Sequence, residues 1–293
     1  MAYKLEIINN NGEITEEIFE KQIDIVKKYG IGDRSLRKSI TSNKFRKGKD
    51  YVYRCSYVLS DKDKIDIKKN TINSGNKKDR ILVIGDIHEP FSIDGYLEFC
   101  KHQYDKYNCN TVVFIGDIID NHALSYWETN PDGMSSGQEL EEAKIKLKKW
   151  HDTFPNAYVI QGNHCILPYR KAFSGGMSRE WIKDMKEVLK TPSWTYGEEF
   201  IINNILFYHG EGLNPKAKSI QEMISSYGGH NHSSSYIHFS QGRLPNTRIF
   251  GMQLGTGIDS KKYAFAYGKH NKPAHINCGI ILNKTPIIEY MET

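Results

Sequence analysis

Four short runs of aliphatic and β-branched residues, each halted by a glycine, limit what this chain can fold into. They are ILVIG at 81–85, TVVFIG at 111–116, AYVIQG at 157–162 and ILFYHG at 205–210. Runs this short and this apolar read as strands buried on both faces. Helical patterns lie between them, at about 93–107, 138–153, 178–190 and 216–227. Strands alternating with helices predict a layered α/β architecture. Residues 247–293 lack a helical pattern and read as several strands, ending in GIILN and PIIEY. A second sheet packed on the first is therefore expected.

The residues beside these glycines are ones that hold cations. Asp86 and His88 follow the first strand in GDIHEP, and Asp117 and Asp120 follow the second in GDIIDNH. Asn163 and His164 follow the third in GNHC. His209 closes the fourth, and His230 and His232 come in GGHNH after the next helix. Open α/β sheets bind ligands at the carboxyl ends of their strands, where loops diverge. Scattered core histidines have no reason to land repeatedly at strand ends beside glycine.

The segment from about Arg80 to the C-terminus resembles the calcineurin-like metallophosphoesterases, whose ordered motifs DxH, GDxxD, GNH[ED], H and GHxH all have counterparts here. The resemblance implies a four-layer α/β/β/α sandwich. It also implies that Asp86, His88 and His232 hold one metal, that Asn163, His209 and His230 hold a second, and that Asp117 bridges them. Carboxylate, imidazole and amide donors suit Mn²⁺, with Fe, Zn²⁺ or Ni²⁺ as alternatives, better than an all-oxygen Mg²⁺ site. Asp120 is expected behind the ligands, accepting from an imidazole. His164, outside the ligand set, is the expected catalytic imidazole, stabilising the transition state or protonating the departing oxygen.

Two positions depart from the family pattern. Cys165 stands where relatives have a carboxylate, and it reads as a small buried hydrophobe. It lacks the basic phosphate loop of a cysteine nucleophile. GDIIDNH also lacks the arginine with which protein phosphatases meet phosphate. Asn121 and His122 occupy that region, either touching substrate or packing the loop. The insertion that follows, from Tyr126 through WETNPDGMSSGQ, lies close enough to shape access to the site. Its Tyr and Trp could meet a nucleobase or simply pack.

Ahead of this segment the composition differs. Residues 1–78 hold 18 Lys/Arg against 11 Asp/Glu, whereas 79–293 hold 22 against 24. Within 34–78 the ratio is 14 to 4. NTINSGNKKDR at 70–80 reads as a linker between a small basic α+β domain, 1–78, and the domain 79–293. In the small domain, Thr15 is expected to cap a helix over 16–28 with Ile18, Phe19, Ile23 and Val26 on its apolar face. Gly30 ends it, and Asp33 caps a second short helix containing Leu36 and Ile40. FRKGKDYVYRCSYVL then resembles a turn and a strand or hairpin. Such a unit can set Arg34, Arg37, Lys38, Lys44, Arg46 and Lys47 against nucleic acid. Tyr51, Tyr53 and Tyr57 either interleave with that charge or form the unit's own core.

The five cysteines are scattered, without CxxC pairs, which fits a reducing cytoplasm and no disulfide framework. No apolar run approaches a membrane span, and the acidic start does not read as an export signal. The function expected is therefore a two-metal phosphodiesterase or nuclease acting on DNA. The rivals are a phosphatase of small phosphomonoesters or nucleotides, a cyclic nucleotide phosphodiesterase, a protein serine/threonine phosphatase, and a non-catalytic scaffold. The complete ligand set weighs against the scaffold. Oligomeric state leaves no mark in the sequence.

Overall fold

The computed structural model describes residues 2–8, 14–19, 21–32, 34–36, 39, 46–47, 51–58, 70–72, 80–126, 129–244, 247–262 and 273–292. The chain divides into two compact units, Met1–Lys68 and Lys69–Thr293.

In the first unit, β1 (Ala2–Ile8), β2 (Ile14–Phe19), β3 (Arg46–Lys47) and β4 (Val52–Val58) form one antiparallel sheet in the order β2-β1-β4-β3, with helix α1 at Gln22–Tyr29. The helix expected over 16–28 is therefore a strand followed by a shorter helix. Asn11-Gly12 lies between two runs that pair Ile8 with Ile14 and Tyr3 with Phe19, a hairpin signal that outweighs the helical spacing. Ile18 and Ile23, placed on the expected apolar face, are exposed, and Ile25 is the buried residue of α1. Residues 34–36 and 39 are helical, while Asp33 and Ile40 lie outside the described residues. Leu5, Ile7, Ile25, Ile31, Leu36, Tyr53 and Cys55 make the core.

The second unit opens with β5 (Asn70–Ile72), inside the stretch expected to be a linker. It pairs parallel with β10 (Glu199–Ile202) at the edge of a sheet, so the unit begins before Asp79. A three-residue strand in a polar stretch carries too few apolar residues to announce itself.

The alternation in β6 (Arg80–Ile84) shows how the layers are held. Leu82 and Ile84 face a core shared with the helices α2 (Tyr96–Lys106) and α3 (Ser136–Thr153). Ile81 and Val83 face the opposite way, into a core shared with Phe200, Phe207, Tyr227 and Met252 of the other sheet. β6, β7 (Thr111–Phe114), β8 (Tyr158–Ile160) and β9 (Thr195–Gly197) run parallel, and β15 (Asn277–Leu282) and β16 (Thr285–Tyr290) complete that sheet on the β6 side. Helices α4 (Leu167–Ser174) and α5 (Met185–Val188) follow β8. The segment expected as one helix over 178–190 is a 3-10 turn at Arg179–Trp181 and then α5.

The second sheet runs β13-β14-β12-β11-β10-β5, with β11 at Ile205–Tyr208, β12 at Ser225–Gly228, β13 at Tyr236–Gln241 and β14 at Arg248–Gln253. Its covering helix, α6 (Pro215–Glu222), is shorter than the expected 216–227. Met223 takes a left-handed conformation at its end (φ 53°), and Ser225–Gly228 are drawn into the sheet between β11 and β14. Helices, two facing sheets and a further helix make the α/β/β/α order.

Candidate metal centre

β6, β7 and β8 are parallel in one sheet, and β11 and β12 are parallel in the other. Parallel pairing brings carboxyl ends to a common edge of each sheet. The loops leaving these five strands carry all seven expected ligands. Three of them, His88 (φ 45°), Asp117 (φ 37°) and His230 (φ 67°), sit in the left-handed region that costs a non-glycine residue about 1–2 kcal/mol. The glycines beside them serve close approach. A Cβ on Gly116 would lie 2.1 Å from His209 Nδ1, and one on Gly162 would lie 2.2 Å from Asp117 Oδ1.

Two groups of ligand atoms converge. Asp86, His88 and His232 form one, and Asp117, His209 and His230 the other, with the atoms of each group within 4.8 Å of one another. Asp117 Oδ2 lies between them, 3.0 Å from His209 Nε2 and 3.8 Å from His88 Nε2. Asn163 Oδ1 joins the second group, 2.9 Å from His209 Nε2. His232 Nε2 is 3.1 Å from Asp86 Oδ2.

The chemistry of the donors fits divalent cations. Asp86 is fully buried, and its Oδ1 has no hydrogen-bond partner among the described residues. Two imidazole nitrogens, His230 Nδ1 and His209 Nε2, face each other at 3.2 Å. Such a packing of carboxylates and imidazoles is costly without a cation or proton to share. The protonic balance says the same. Burial opposes ionisation of Asp117, but the neighbouring His209 charge and hydrogen bond overcome it and hold the carboxyl far below the usual range. Burial likewise opposes charge on His209, yet Asp117 and Asp86 raise it to about 9.

Asp120 stands behind His88 and His164. Its Oδ1 is 2.6 Å from His88 Nδ1 and 3.2 Å from His164 Nδ1. These three residues could by proximity hold a cation too. Both rings, however, turn Nδ1 toward the carboxylate, which is the geometry of hydrogen bonds to a shared acceptor. His164 Nδ1 also lies 2.7 Å from the Asp120 carbonyl, and the His164 backbone N–H donates to Asp117 Oδ1 at 2.8 Å.

Asn121 and His122 separate in role. Asn121 Nδ2 donates to the His164 carbonyl at 2.9 Å, supporting that loop. His122 is buried and accepts the Asn130 N–H at Nε2 (3.1 Å), which is loop packing. Cys165 is fully buried in the helix-side core, and burial pushes its thiol up to about 12.

Two supports escaped the sequence. Glu139 of α3 accepts the backbone N–H groups of His122 (2.7 Å) and Ala123 (3.0 Å), clamping the loop after β7. Nothing in a polar helix pattern marks it. Thr256 Oγ1 donates to the Asp86 carbonyl at 2.6 Å. Here a signal existed, because LGTG after β14 repeats the pattern of an apolar run stopped by glycine.

In the first unit the six expected nucleic-acid contacts are only partly described. Arg34 is exposed, Arg46 is half-buried, and Lys47 lies in β3. Arg37, Lys38 and Lys44 lie outside the described residues. Tyr53 is a core residue whose hydroxyl is 2.8 Å from Ser35 Oγ, and the Tyr51 hydroxyl donates to the Tyr29 carbonyl at 2.7 Å. Tyr53 thus builds the unit's interior, and Tyr51, half-buried, packs edge-on against Tyr29 and Tyr53. The side chain of Tyr57 is outside the described set.

Fold and metal-ligand clusters define a metal-dependent hydrolase. Residues 79–269 match the family of calcineurin-like phosphoesterases, and the chain belongs to that family. Similar solved structures include a novel archaeal phosphodiesterase, 14% identical, covering 72% of this chain and 99% of that one with a TM-score of 0.40. The phosphoesterase Yfce from E. coli is 13% identical, with coverage of 69% and 87% and a TM-score of 0.35. Vacuolar Protein Sorting 29 from Cryptosporidium parvum is 12% identical, with coverage of 74% and 98% and a TM-score of 0.37. No curated protein matches the chain significantly in sequence. Among the described residues no helix is long and apolar enough to cross a membrane.

Proposed function

We propose that this phosphoesterase hydrolyses phosphodiester bonds in DNA. Charge carries the polynucleotide reading. Residues 34–78 hold 14 basic and 4 acidic side chains, and Arg34 among them is exposed. A polyanion gains most from such a concentration, through release of its condensed counterions. The absence of the phosphatase arginine adds support, since Asn121 beside that position is committed to the His164 carbonyl. The basic stretch, most of it in the first unit, would supply affinity for the backbone and the second unit the chemistry.

In this reading Asp86, His88 and His232 would hold one divalent cation, preferably Mn²⁺, and Asn163, His209 and His230 the other, with Asp117 shared. Bound there, two cations polarise the phosphoryl oxygens and make water a stronger nucleophile. Asp120 fixes the His88 ring through Nδ1 and leaves Nε2 for ligation. Water forms the new P–O bond in line with the ester P–O bond that breaks. His164, anchored through Nδ1 and partly exposed, gives the proton to the departing oxygen from Nε2. Burial lowers its basicity, but the Asp120 hydrogen bond and the Asp117 charge outweigh burial and raise it. The five unpaired cysteines suit a reducing cytoplasm.

A Mn²⁺-supplemented panel tests the proposal, with the His88→Ala variant as blank. It contains single- and double-stranded DNA, RNA, a cyclic nucleotide, a mononucleotide and a phosphopeptide. Cleavage of DNA that weakens steeply with salt is expected. Turnover confined to monoesters would overturn it.

A further inference from the structure

The segment that leaves the metal centre exposes more aromatic surface than a folded domain needs. Phe173 is 83% exposed and Trp181 is 82% exposed, and Tyr126, in the loop after the second motif, is half exposed. Large rings are ordinarily the first side chains to be buried, and a cluster left in water marks a contact surface.

The surface is tied to the catalytic loop. Leu167, the first residue of α4, donates its backbone N–H to the His164 carbonyl at 3.2 Å, so α4 starts from the loop that carries the proposed catalytic imidazole. Phe173 lies near the far end of that helix, about 10 Å along its axis at 1.5 Å per residue. The 3-10 turn carrying Trp181 packs back on α4, where the Arg179 guanidinium lies 4.3 Å from the Tyr169 ring centre. The loop after the second motif is fastened to the same helix, with the Tyr126 hydroxyl 3.2 Å from Ser174 Oγ.

Beside the Tyr126 ring the charge is positive, while exposed Glu180 precedes Trp181. Lys171 Nζ lies 4.0 Å and Arg170 Cζ 5.3 Å from the centre of the Tyr126 ring. Neither cation has a carboxylate partner among the described residues, unlike Arg179, which pairs with Asp184 at 2.7 Å. Exposed rings beside cations without a carboxylate partner are the means by which proteins hold single-stranded nucleic acid: bases stack on the rings and phosphates lie on the cations. A protein partner would want a continuous apolar patch with polar groups at its rim, whereas here two cations without carboxylate partners lie against the Tyr126 ring.

The geometry points to α4, the Arg179–Trp181 turn and Tyr126 forming a stacking platform for the single-stranded nucleotides that flank the scissile bond. Phe173 and Trp181 carry bases, and Arg170 and Lys171 carry phosphates. This rests on the polynucleotide reading above and adds that the substrate enters as a single strand. It also gives the second unit its own hold on the nucleic acid.

The test uses the full chain loaded with Mn²⁺ and two substrates, a short oligodeoxythymidylate and a small chromogenic phosphodiester. The Phe173→Ala/Trp181→Ala variant should raise KM for the oligonucleotide by about tenfold or more, lowering the ratio of oligonucleotide to small-diester turnover. Phe173→Tyr/Trp181→Phe, which keeps a ring at each place, should restore the ratio. Arg170→Ala/Lys171→Ala should flatten the salt dependence of oligonucleotide kcat/KM by about 1.4 in log–log slope, the loss of two phosphate contacts on a single strand. If the wild type cuts oligonucleotide and the ratio and slope survive these changes, the platform is wrong and the polynucleotide reading stands. If the wild type turns over the small diester and no polynucleotide, both fall. A change in sedimentation of the ring-deletion variant with an unaltered ratio would identify the patch as a self-association surface and overturn the platform.

Discussion

Asp120 and His88 form a buried pair in which carboxylate Oδ1 lies 2.6 Å from imidazole Nδ1. Both side chains are almost wholly removed from solvent. The carboxylate therefore decides which nitrogen of His88 faces the ligand cluster, and it raises the basicity of that nitrogen. Replacing Asp120 by Asn keeps the shape and removes the charge. Affinity for Mn²⁺, measured by titrating metal into chelator-treated protein, should fall about 10–100-fold. Unchanged affinity would mean that His88 is oriented by its surroundings alone.

His164 shares the same carboxylate but belongs to neither ligand group. His164→Ala should lower kcat on a small diester by about 10²–10⁴-fold and leave bound metal stoichiometric. Asn121→Ala removes one hydrogen bond from the His164 carbonyl, at a cost of about 1 kcal/mol, and should lower kcat by less than tenfold. Metal analysis alongside kinetics separates the two possibilities. Loss of metal from the His164 variant would move that residue into the ligand set.

How much of this centre could be read from the residues depends on where its determinants lie. Asp86, His88, Asp117, Asn163 and His209 announce themselves because each sits at the end of an apolar run, whereas His230 and His232 follow SSYGG, which reads as the end of a helix, and are marked only by GGHNH; parallel pairing converts these positions into proximity. Glu139 is silent in the sequence because its place depends on how α3 docks, not on any local pattern. In the first unit the helical spacing of Ile18, Phe19 and Ile23 competed with a hairpin signal at Asn11-Gly12. Cross-strand pairing of β1 with β2 won, since it satisfies backbone groups along the whole of both strands. Tyr51 and Tyr53 show a limit of another kind. Alternation told that one face of β4 is aromatic, but not whether that face meets water or Leu5 and Ile25.

Gly162 lies tight against the Asp117 carboxylate. A methyl group there would meet Asp117 Oδ1 at 2.2 Å and Cγ at 2.6 Å. The neighbour that must give way is a buried side chain whose backbone is already held at a positive φ. Gly162→Ala should therefore destabilise the second unit by about 1–3 kcal/mol and displace Asp117. The melting temperature and metal content should both fall, whereas Gly137→Ala, at a helical position with open space, should lower neither.

Glu139 gives a pH signature that does not involve the ligands. Burial raises its carboxyl above the ordinary value, outweighing the two backbone N–H groups that favour the charged form. An acid with a raised folded pKa binds its proton more tightly when folded, so its contribution to stability is full below the unfolded value of 4.5 and declines as pH rises through the folded pKa. Gln at this position does not titrate. The stability gap between wild type and Glu139→Gln, from urea titrations of chelator-treated protein, should therefore be wider at acid pH than at neutral pH. A gap that widened with rising pH would show that the clamp on His122 and Ala123 holds the carboxylate in its charged form.

The ligand clusters also predict where metal binding is felt. Asp86, Asp117 and Asp120 are buried together, and imidazoles and backbone N–H groups are the partners that face them among the described residues. Cations that bind the folded cluster and not the unfolded chain stabilise it by about 2.7 kcal/mol at a hundredfold excess over Kd. For a unit of this size that corresponds to roughly 5–10 °C in Tm. The first unit has its own core, built from Leu5, Ile7, Ile25, Leu36 and Tyr53, and holds none of these ligands. Mn²⁺ should therefore raise the melting transition of the second unit and leave that of the first unmoved in a calorimetric scan. In Asp86→Asn/Asp117→Asn protein the metal-dependent shift should vanish. If it persisted, the cations would be binding somewhere other than the strand-end cluster.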